Sequence, residues 1–189
     1  LVEDNCDALD SKYAGKKTGT FGLLATSSFY PAHHLSMGEG GAVYTNDDAL
    51  YKILLSLRNW GRACYCELTE KNHFGSCGIR FSYKLKGVPV DHKYMYSNIG
   101  FNLKPLDIQP AVGIEQLQKL PAFTAKRKQN FKSMYKIFEQ YTDYFHLPYA
   151  LPKADPSWFA FPLTIKETAG FSRSELMTFL EKNLIGKSQ

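Results

Sequence analysis

Short apolar runs that close on polar residues open the chain. Leu1-Val2-Glu3-Asp4 starts apolar and ends acidic, the pattern of a buried parallel strand whose carboxyl end delivers side chains to a site. Gly19 through Ser28 reads as a second strand ending in hydroxyls, and Gly41-Ala42-Val43-Tyr44-Thr45 as a third after a glycine turn. Asn46-Asp47-Asp48 then caps a helix to about Leu57, with Leu50, Ile53, Leu54 and Leu57 on one face. From Arg58 to Gly100 the period is lost. A stretch that long without a repeat needs a functional reason, and a metal site would supply one by replacing the missing apolar staple.

After Pro105 a helical pattern runs from Asp107 to about Tyr144, with Ile108, Val112, Leu117 and Leu120 early and Phe131, Met134, Ile137 and Phe138 later. Pro110 falls in its first turn, where proline is tolerated; Pro121 predicts a kink or a division. Trp158 to Ile165 reads as an aromatic strand, and Ser172-Arg173-Ser174-Glu175 opens a last helix with a capping box. The pattern divides the chain into residues 1–105, part of a larger sheet domain carrying the aperiodic excursion; 106–145, a connecting long helix; and 146–189, a small α+β domain left incomplete. With no initiator Met and a strand at its first residue, the chain reads as an internal piece of a longer protein.

Composition narrows the class. Of 189 residues 44% are hydrophobic, 22% charged and 14% aromatic, an ordinary globular balance that excludes disorder. Twenty-three basic against 18 acidic residues give +5, visible in Lys84-Leu85-Lys86 and Lys126-Arg127-Lys128. That surplus suits an anionic small molecule such as a nucleotide sugar, and a solvated helix face explains it equally well; nucleic-acid binding is not required. No apolar run approaches the roughly 18–20 residues of a membrane span, and no leader is visible, so a cytoplasmic protein with reduced thiols and no membrane partner is expected.

The thiols are the first candidate chemistry. Cys6, Cys64, Cys66 and Cys77 leave gaps of 57, one and 10 residues. Four thiols at one point would suit either an iron–sulfur cluster or a structural zinc ion. The one-residue gap between Cys64 and Cys66 is tighter than zinc knuckles use, which leans toward iron–sulfur.

Glu3-Asp4 at a strand end, Ser28-Phe29-Tyr30-Pro31-Ala32-His33 before Gly38-Glu39-Gly40-Gly41, and Gly100-Phe101-Asn102 before the long helix follow one another in order. This order resembles the DegT/DnrJ/EryC1/StrS sugar aminotransferase and dehydrase family. The resemblance implies an α/β protein of the aspartate aminotransferase (type I) fold: part of the large mixed-sheet domain plus an incomplete α+β C-terminal domain. It also implies pyridoxal or pyridoxamine 5′-phosphate as cofactor and a homodimer. Asp4 would hold the pyridine nitrogen protonated, so that the ring acts as an electron sink. Asp7 would lie near the ring, Ser28 would donate to the phosphate, and Asn102 would reach a neighbouring subunit's phosphate.

Position 33 departs from the family pattern, since most members carry there the lysine that links covalently to the cofactor. The imidazole of His33 cannot form that link, but it can abstract a proton near neutral pH. The resemblance therefore implies a dehydrase working with pyridoxamine phosphate. Within it, Cys6, Cys64 and Cys66 match the gaps of the 2Fe-2S 3-dehydrases of CDP-linked 4-keto-6-deoxyhexoses, with Cys77 as fourth ligand after a longer gap. A slightly longer loop costs little to close. The implied activity is a 3-dehydration in 3,6-dideoxyhexose (O-antigen) biosynthesis, with electrons from an NAD(P)H-dependent flavin or iron–sulfur reductase. Two alternatives stay open: a cluster-free dehydratase or aminotransferase, and a non-catalytic zinc-binding module.

Overall fold

The computed structural model describes residues 1–64 and 77–183. In chain order the elements are β1 (Val2–Asp4), β2 (Lys12–Tyr13), β3 (Lys16–Lys17), β4 (Leu24–Ser28), β5 (Gly41–Tyr44), α1 (Asp48–Arg58), β6 (Tyr83–Leu85), β7 (Val88–Val90), α2 (Ile108–Phe138), β8 (Phe145–His146), β9 (Ala154–Asp155), β10 (Thr164–Ile165) and α3 (Arg173–Lys182). One mixed sheet carries the site. Its centre is β4, parallel to β1 with Asp4 opposite Thr26, and antiparallel to β5 with Ser28 opposite Gly41.

Along β4 the side chains alternate, Ala25 and Ser27 buried and Leu24, Thr26 and Ser28 half-buried, as expected for a strand paired on both edges. The strand is shorter than its apolar run. Residues 19–23 turn instead, because the Glu3 carboxylate accepts the backbone N–H groups of Gly19, Phe21 and Gly22 and so uses donors that a ladder would need. β1 also differs from the expected buried strand: it pairs with β4 on one side, and Leu1 and Val2 are 82% and 64% exposed.

α1 forms as its caps predict. Asp47 accepts the N–H of Leu50 at 2.9 Å, and Asp48 stands in the positively polarised first turn. Its far end is laced to the segment before α2: Phe101 N–H donates to Leu57 O at 2.7 Å and Leu103 N–H to Arg58 O at 3.0 Å. Glycine is required here. Gly61 has φ +79°, and a Cβ on it would collide with the Asn98 carbonyl, while one on Gly100 would strike the Gly61 amide. Within the aperiodic excursion, the described residues form a hairpin, β6–β7, turning at Lys86-Gly87.

α2 is continuous over 31 residues with Pro121 inside it, so proline does not divide the helix. Its helical end, Phe138, comes earlier than the pattern implied, and a tighter turn, Glu139–Tyr141, follows. The apolar pattern is buried only in part. Leu120 and Thr124 are buried, with Arg127 and Phe131 half-buried beyond them at helical spacing, whereas Ile108 and Leu117 are 70% and 57% exposed.

The aromatic run forms a strand only at Thr164–Ile165. Its rings fold onto α2 instead: Trp158 stacks on Phe131 at 3.5 Å, and Phe161 lies 5.0 Å from Phe131 and 5.7 Å from Phe138. β2 pairs with both β3 and β9, tying the start of the chain to residues 154–155. α3 carries the predicted capping box between Ser172 and Glu175. No helix among the described residues is long and apolar enough to cross a membrane.

Candidate active site

The carboxyl ends of β1 and β4 lie side by side, and this places Asp4, Cys6 and Thr26 together. Asp4 Oδ1 accepts from the Cys6 N–H at 3.2 Å and the Thr26 hydroxyl at 3.3 Å. The Cys6 thiol and backbone, then Thr26, hold the Asp4 carboxyl below its usual range, so it is an exposed anion at neutral pH. Cys6 Sγ lies 3.5 Å from Thr26 Oγ1. The threonine hydroxyl draws that thiol down, but burial and the carboxylates of Asp4 and Asp7 outweigh it and push it up.

His33 follows β4 in a tight turn, its N–H donating to Tyr30 O at 3.0 Å. His33 Nε2 lies 3.4 Å from Asp7 Oδ1, with the imidazole 20% and the carboxylate 58% exposed. Tyr30 and Phe159 meet its ring edge-on, each at 5.5 Å. Ser28 Oγ accepts the Tyr30 N–H at 3.3 Å, which leaves its own O–H to donate elsewhere. Asn102 is exposed and bridges Asn59 at the end of α1.

These positions fit the cofactor that the sequence implied. Asp4 offers an exposed carboxylate suited to a protonated ring nitrogen, Ser28 a free hydroxyl donor suited to a phosphate, and His33 a ring nitrogen facing a carboxylate. The thiols are different. Cys66 lies outside the described residues. Cys77 Sγ lies 3.2 Å from His92 Nε2, and Cys6 sits with Thr26. Among the described residues no group of three or more His, Cys, Asp or Glu is gathered to hold a metal ion. The structure therefore does not bring Cys6, Cys64 and Cys77 into a metal-holding set.

Sequence reasoning missed the surroundings of His33. Arg127 belongs to a basic run that reads equally as suited to an anionic ligand or as a solvated face, yet its guanidinium donates inward to His33 O at 3.3 Å and Phe159 O at 3.2 Å. His34 Nε2 lies 2.8 Å from Ser157 Oγ, which lies 2.9 Å from Ser11 Oγ. No local signal marks partners separated by more than 90 positions. A cleft of about 450 Å³ beside His33 is lined by polar Ser36, Gln116, Lys126 and Asn130, among others.

The family model for DegT/DnrJ/EryC1/StrS aminotransferases matches residues 1–189. The lipopolysaccharide biosynthesis protein RfbH of Salmonella typhimurium is 49% identical over 188 residues, which are 98% of this chain and 42% of that protein. The dTDP-4-dehydro-2,6-dideoxy-D-glucose 3-dehydratase of Saccharopolyspora spinosa is 48% identical over 188 residues, 98% of this chain and 40% of that one. Among solved structures, Escherichia coli GDP-4-keto-6-deoxy-D-mannose-3-dehydratase with bound hydrated PLP superposes with a TM-score of 0.78 at 31% identity, over 97% of this chain and 44% of that chain. The aminotransferase PseC of Helicobacter pylori, involved in pseudaminic acid biosynthesis, gives 0.75 at 26% identity, over 96% and 42%. The chain spans about two fifths of the length of these curated relatives.

Proposed function

Because the chain belongs to the DegT/DnrJ/EryC1/StrS aminotransferase family, we propose that it forms part of a pyridoxamine-phosphate-dependent 3-dehydratase of a nucleotide-linked 4-keto-deoxyhexose. One observation carries this reading. His33 stands where the family's lysine is expected, with its Nε2 facing Asp7 at 3.4 Å. Such a pair accepts and returns a proton without a covalent link to the cofactor. The names of two relatives, both 3-dehydratases, support the same reaction class.

Pyridoxamine phosphate supplies, when bound, an amine for the sugar's keto group and a ring that accepts electron density. The chain's own residues supply the rest. Asp4 is the group to hold the ring nitrogen protonated, and Ser28 to donate to the phosphate, joined by Asn102 of a second copy in a homodimer. Asp7 orients the His33 ring, while Phe159 and Tyr30 limit its rotation. Lys126, Gln116 and Asn130 line the adjacent cleft with donors suited to an anionic substrate.

The test is His33→Asn in the full-length protein. It is expected to abolish proton exchange at the cofactor C4′ while leaving cofactor absorbance intact; exchange that persists removes His33 from the mechanism.

The finer reading adds a 2Fe-2S cluster on Cys6, Cys64, Cys66 and Cys77 and a reductase that feeds it. It rests on cysteine spacing and on the family resemblance, while the described residues gather no metal-holding group. Iron and sulfide analysis decides it: a Cys64→Ser protein that keeps its full complement would exclude the ligand set. The nucleotide is equally specific a matter. A CDP-linked sugar is the sequence-based reading, relatives are named for dTDP- and GDP-linked sugars, and competition among the three sugars discriminates.

A further inference from the structure

Four separated stretches meet behind His33. Ser157 is fully buried, His34 is 2% exposed and Ser11 7% exposed. Their polar atoms form one chain: His34 Nε2 to Ser157 Oγ at 2.8 Å, Ser157 Oγ to Ser11 Oγ at 2.9 Å, and the Ser157 N–H donating to Ser11 Oγ at 2.9 Å. From α2, Arg127 grips the carbonyls of both His33 and Phe159. Phe159 then lays its ring edge-on to His33 and tilted against His34 at 6.1 Å.

The backbone between these contacts is held in an unusual state. Trp158 has φ +50°, in the left-handed region that a bulky side chain adopts only when its surroundings fix it. The surroundings here do so. Ser157 is committed to the buried chain, Trp158 to its stack on Phe131, and Phe159 to His33, so three consecutive residues point to three different places. Strain of this kind collects where a side chain must be aimed. Burial, and then the Arg127 charge, pull His34 down to about 4, so its imidazole is uncharged near neutral pH.

We infer that the buried Ser11–Ser157–His34 chain, locked by Arg127 and Phe159, is the mount that aims His33 at Asp7 and the cofactor face, with His34 a positioning residue and not a proton carrier. This rests on the reading of His33 as the base. A base held from its backbone carbonyl and its ring edge keeps its orientation through the proton transfer, and small misplacement at a reacting centre slows the step steeply.

The experiment uses the full-length protein loaded with pyridoxamine phosphate and compares C4′ proton exchange at saturating nucleotide sugar. His34→Leu is expected to slow exchange by roughly 10- to 100-fold with KM for the sugar little changed. His34→Gln, whose amide reaches where Nε2 reaches, is expected to restore most of the rate. Ser157→Ala leaves both histidines in place, should show the same loss, and stands in if His34→Leu does not fold. Exchange at the parental rate in either folded variant overturns the inference. So does a His34→Gln protein as slow as His34→Leu, because the imidazole itself would then be needed. A crystal structure of His34→Leu, or of Ser157→Ala in its place, separates the two readings: an unmoved His33 ring overturns the mount. A displaced ring in a protein whose parent shows no exchange supports the mount and overturns the dehydratase.

Discussion

Glu3 sits in β1, yet its side chain organises the turn before β4, accepting from Gly19 and Phe21 N–H at 2.7 Å and from Gly22 at 2.5 Å. Partial burial works to raise its carboxyl, and the bonds from Gly22, Gly19 and Phe21, with Lys16 nearby, outweigh it and hold the group below the usual range. A depressed folded pKa stabilises the fold above the unfolded value and ceases to do so as pH falls through the folded one. Glu3→Gln is therefore expected to cost about 1–3 kcal/mol near neutral pH, measured by urea unfolding, with the gap closing in acid. A gap that stays constant with pH would refute the ionic account. His34 gives a second acid-side effect. Its folded pKa of about 4 lies below that of an unfolded histidine, so the unfolded chain binds the extra proton as pH drops from about 6.5 to 4. Stability is complete above that window and falls by roughly 3 kcal/mol across it. Comparing His34→Gln with the parent by unfolding at both ends should show a flatter profile in the variant; parallel profiles would mean that His34 is not the group titrating.

At the scale of elements, local chemistry decides the ends and long-range packing decides the faces. The Ser172–Glu175 capping box satisfies reciprocal donors at the start of α3, with Glu175 N–H to Ser172 Oγ at 3.2 Å and Ser172 N–H to Glu175 Oε2 at 2.7 Å. Ser172→Ala is expected to cost about 1 kcal/mol and to fray α3, seen as faster amide exchange in its first turn alone. Unchanged exchange there would mean that α3 is held by its packing instead. This box, the Asp47 cap of α1 and the three strands of the mixed sheet were legible in the sequence because each depends on neighbours a few positions away. The early start expected for β4 was wrong for a reason no local pattern holds: the Glu3 carboxylate, sixteen or more positions back, takes the amides. The same limit applies to the site. Asp4, Ser28 and His33 stood out by motif, whereas Arg127, Ser157 and Phe159 did not, since they reach His33 and His34 only through the fold. α2 misled in its own way. Of the early apolar positions of its pattern Leu120 is buried, but Ile108, Val112 and Leu117 are exposed, and the buried side runs on through Thr124, where the Asp7–Ser11 turn meets the helix through Thr124 Oγ1 and Asp10 at 2.8 Å.

At the scale of the whole molecule, large apolar side chains of one stretch are left uncovered by the described residues. Ile99 is 93% exposed, Phe101 61%, Leu103 64%, Leu106 70% and Ile108 70%, and Ile114 and Leu117 of α2 are exposed as well. This is not loose chain. Phe101 and Leu103 are tied by backbone hydrogen bonds to Leu57 and Arg58, and Leu106 N–H donates to Gln109 Oε1 at 2.7 Å, so the backbone that carries these side chains is held in place. Apolar side chains exposed together on an ordered backbone mark contact with another surface. Scattered exposed apolar residues would mean little, but these follow one another along one stretch. Since the chain spans about two fifths of the length of its curated relatives, the longer proteins have further residues able to cover those side chains. Expressed as these 189 residues, the protein is therefore expected to self-associate with rising concentration in sedimentation velocity. Ile99→Lys combined with Leu106→Lys should shift it toward monomer without altering its circular dichroism, because neither side chain is part of the buried core. A parent chain that stays monomeric at about 100 μM would show that these side chains tolerate water, against the rule that apolar side chains exposed together seek cover.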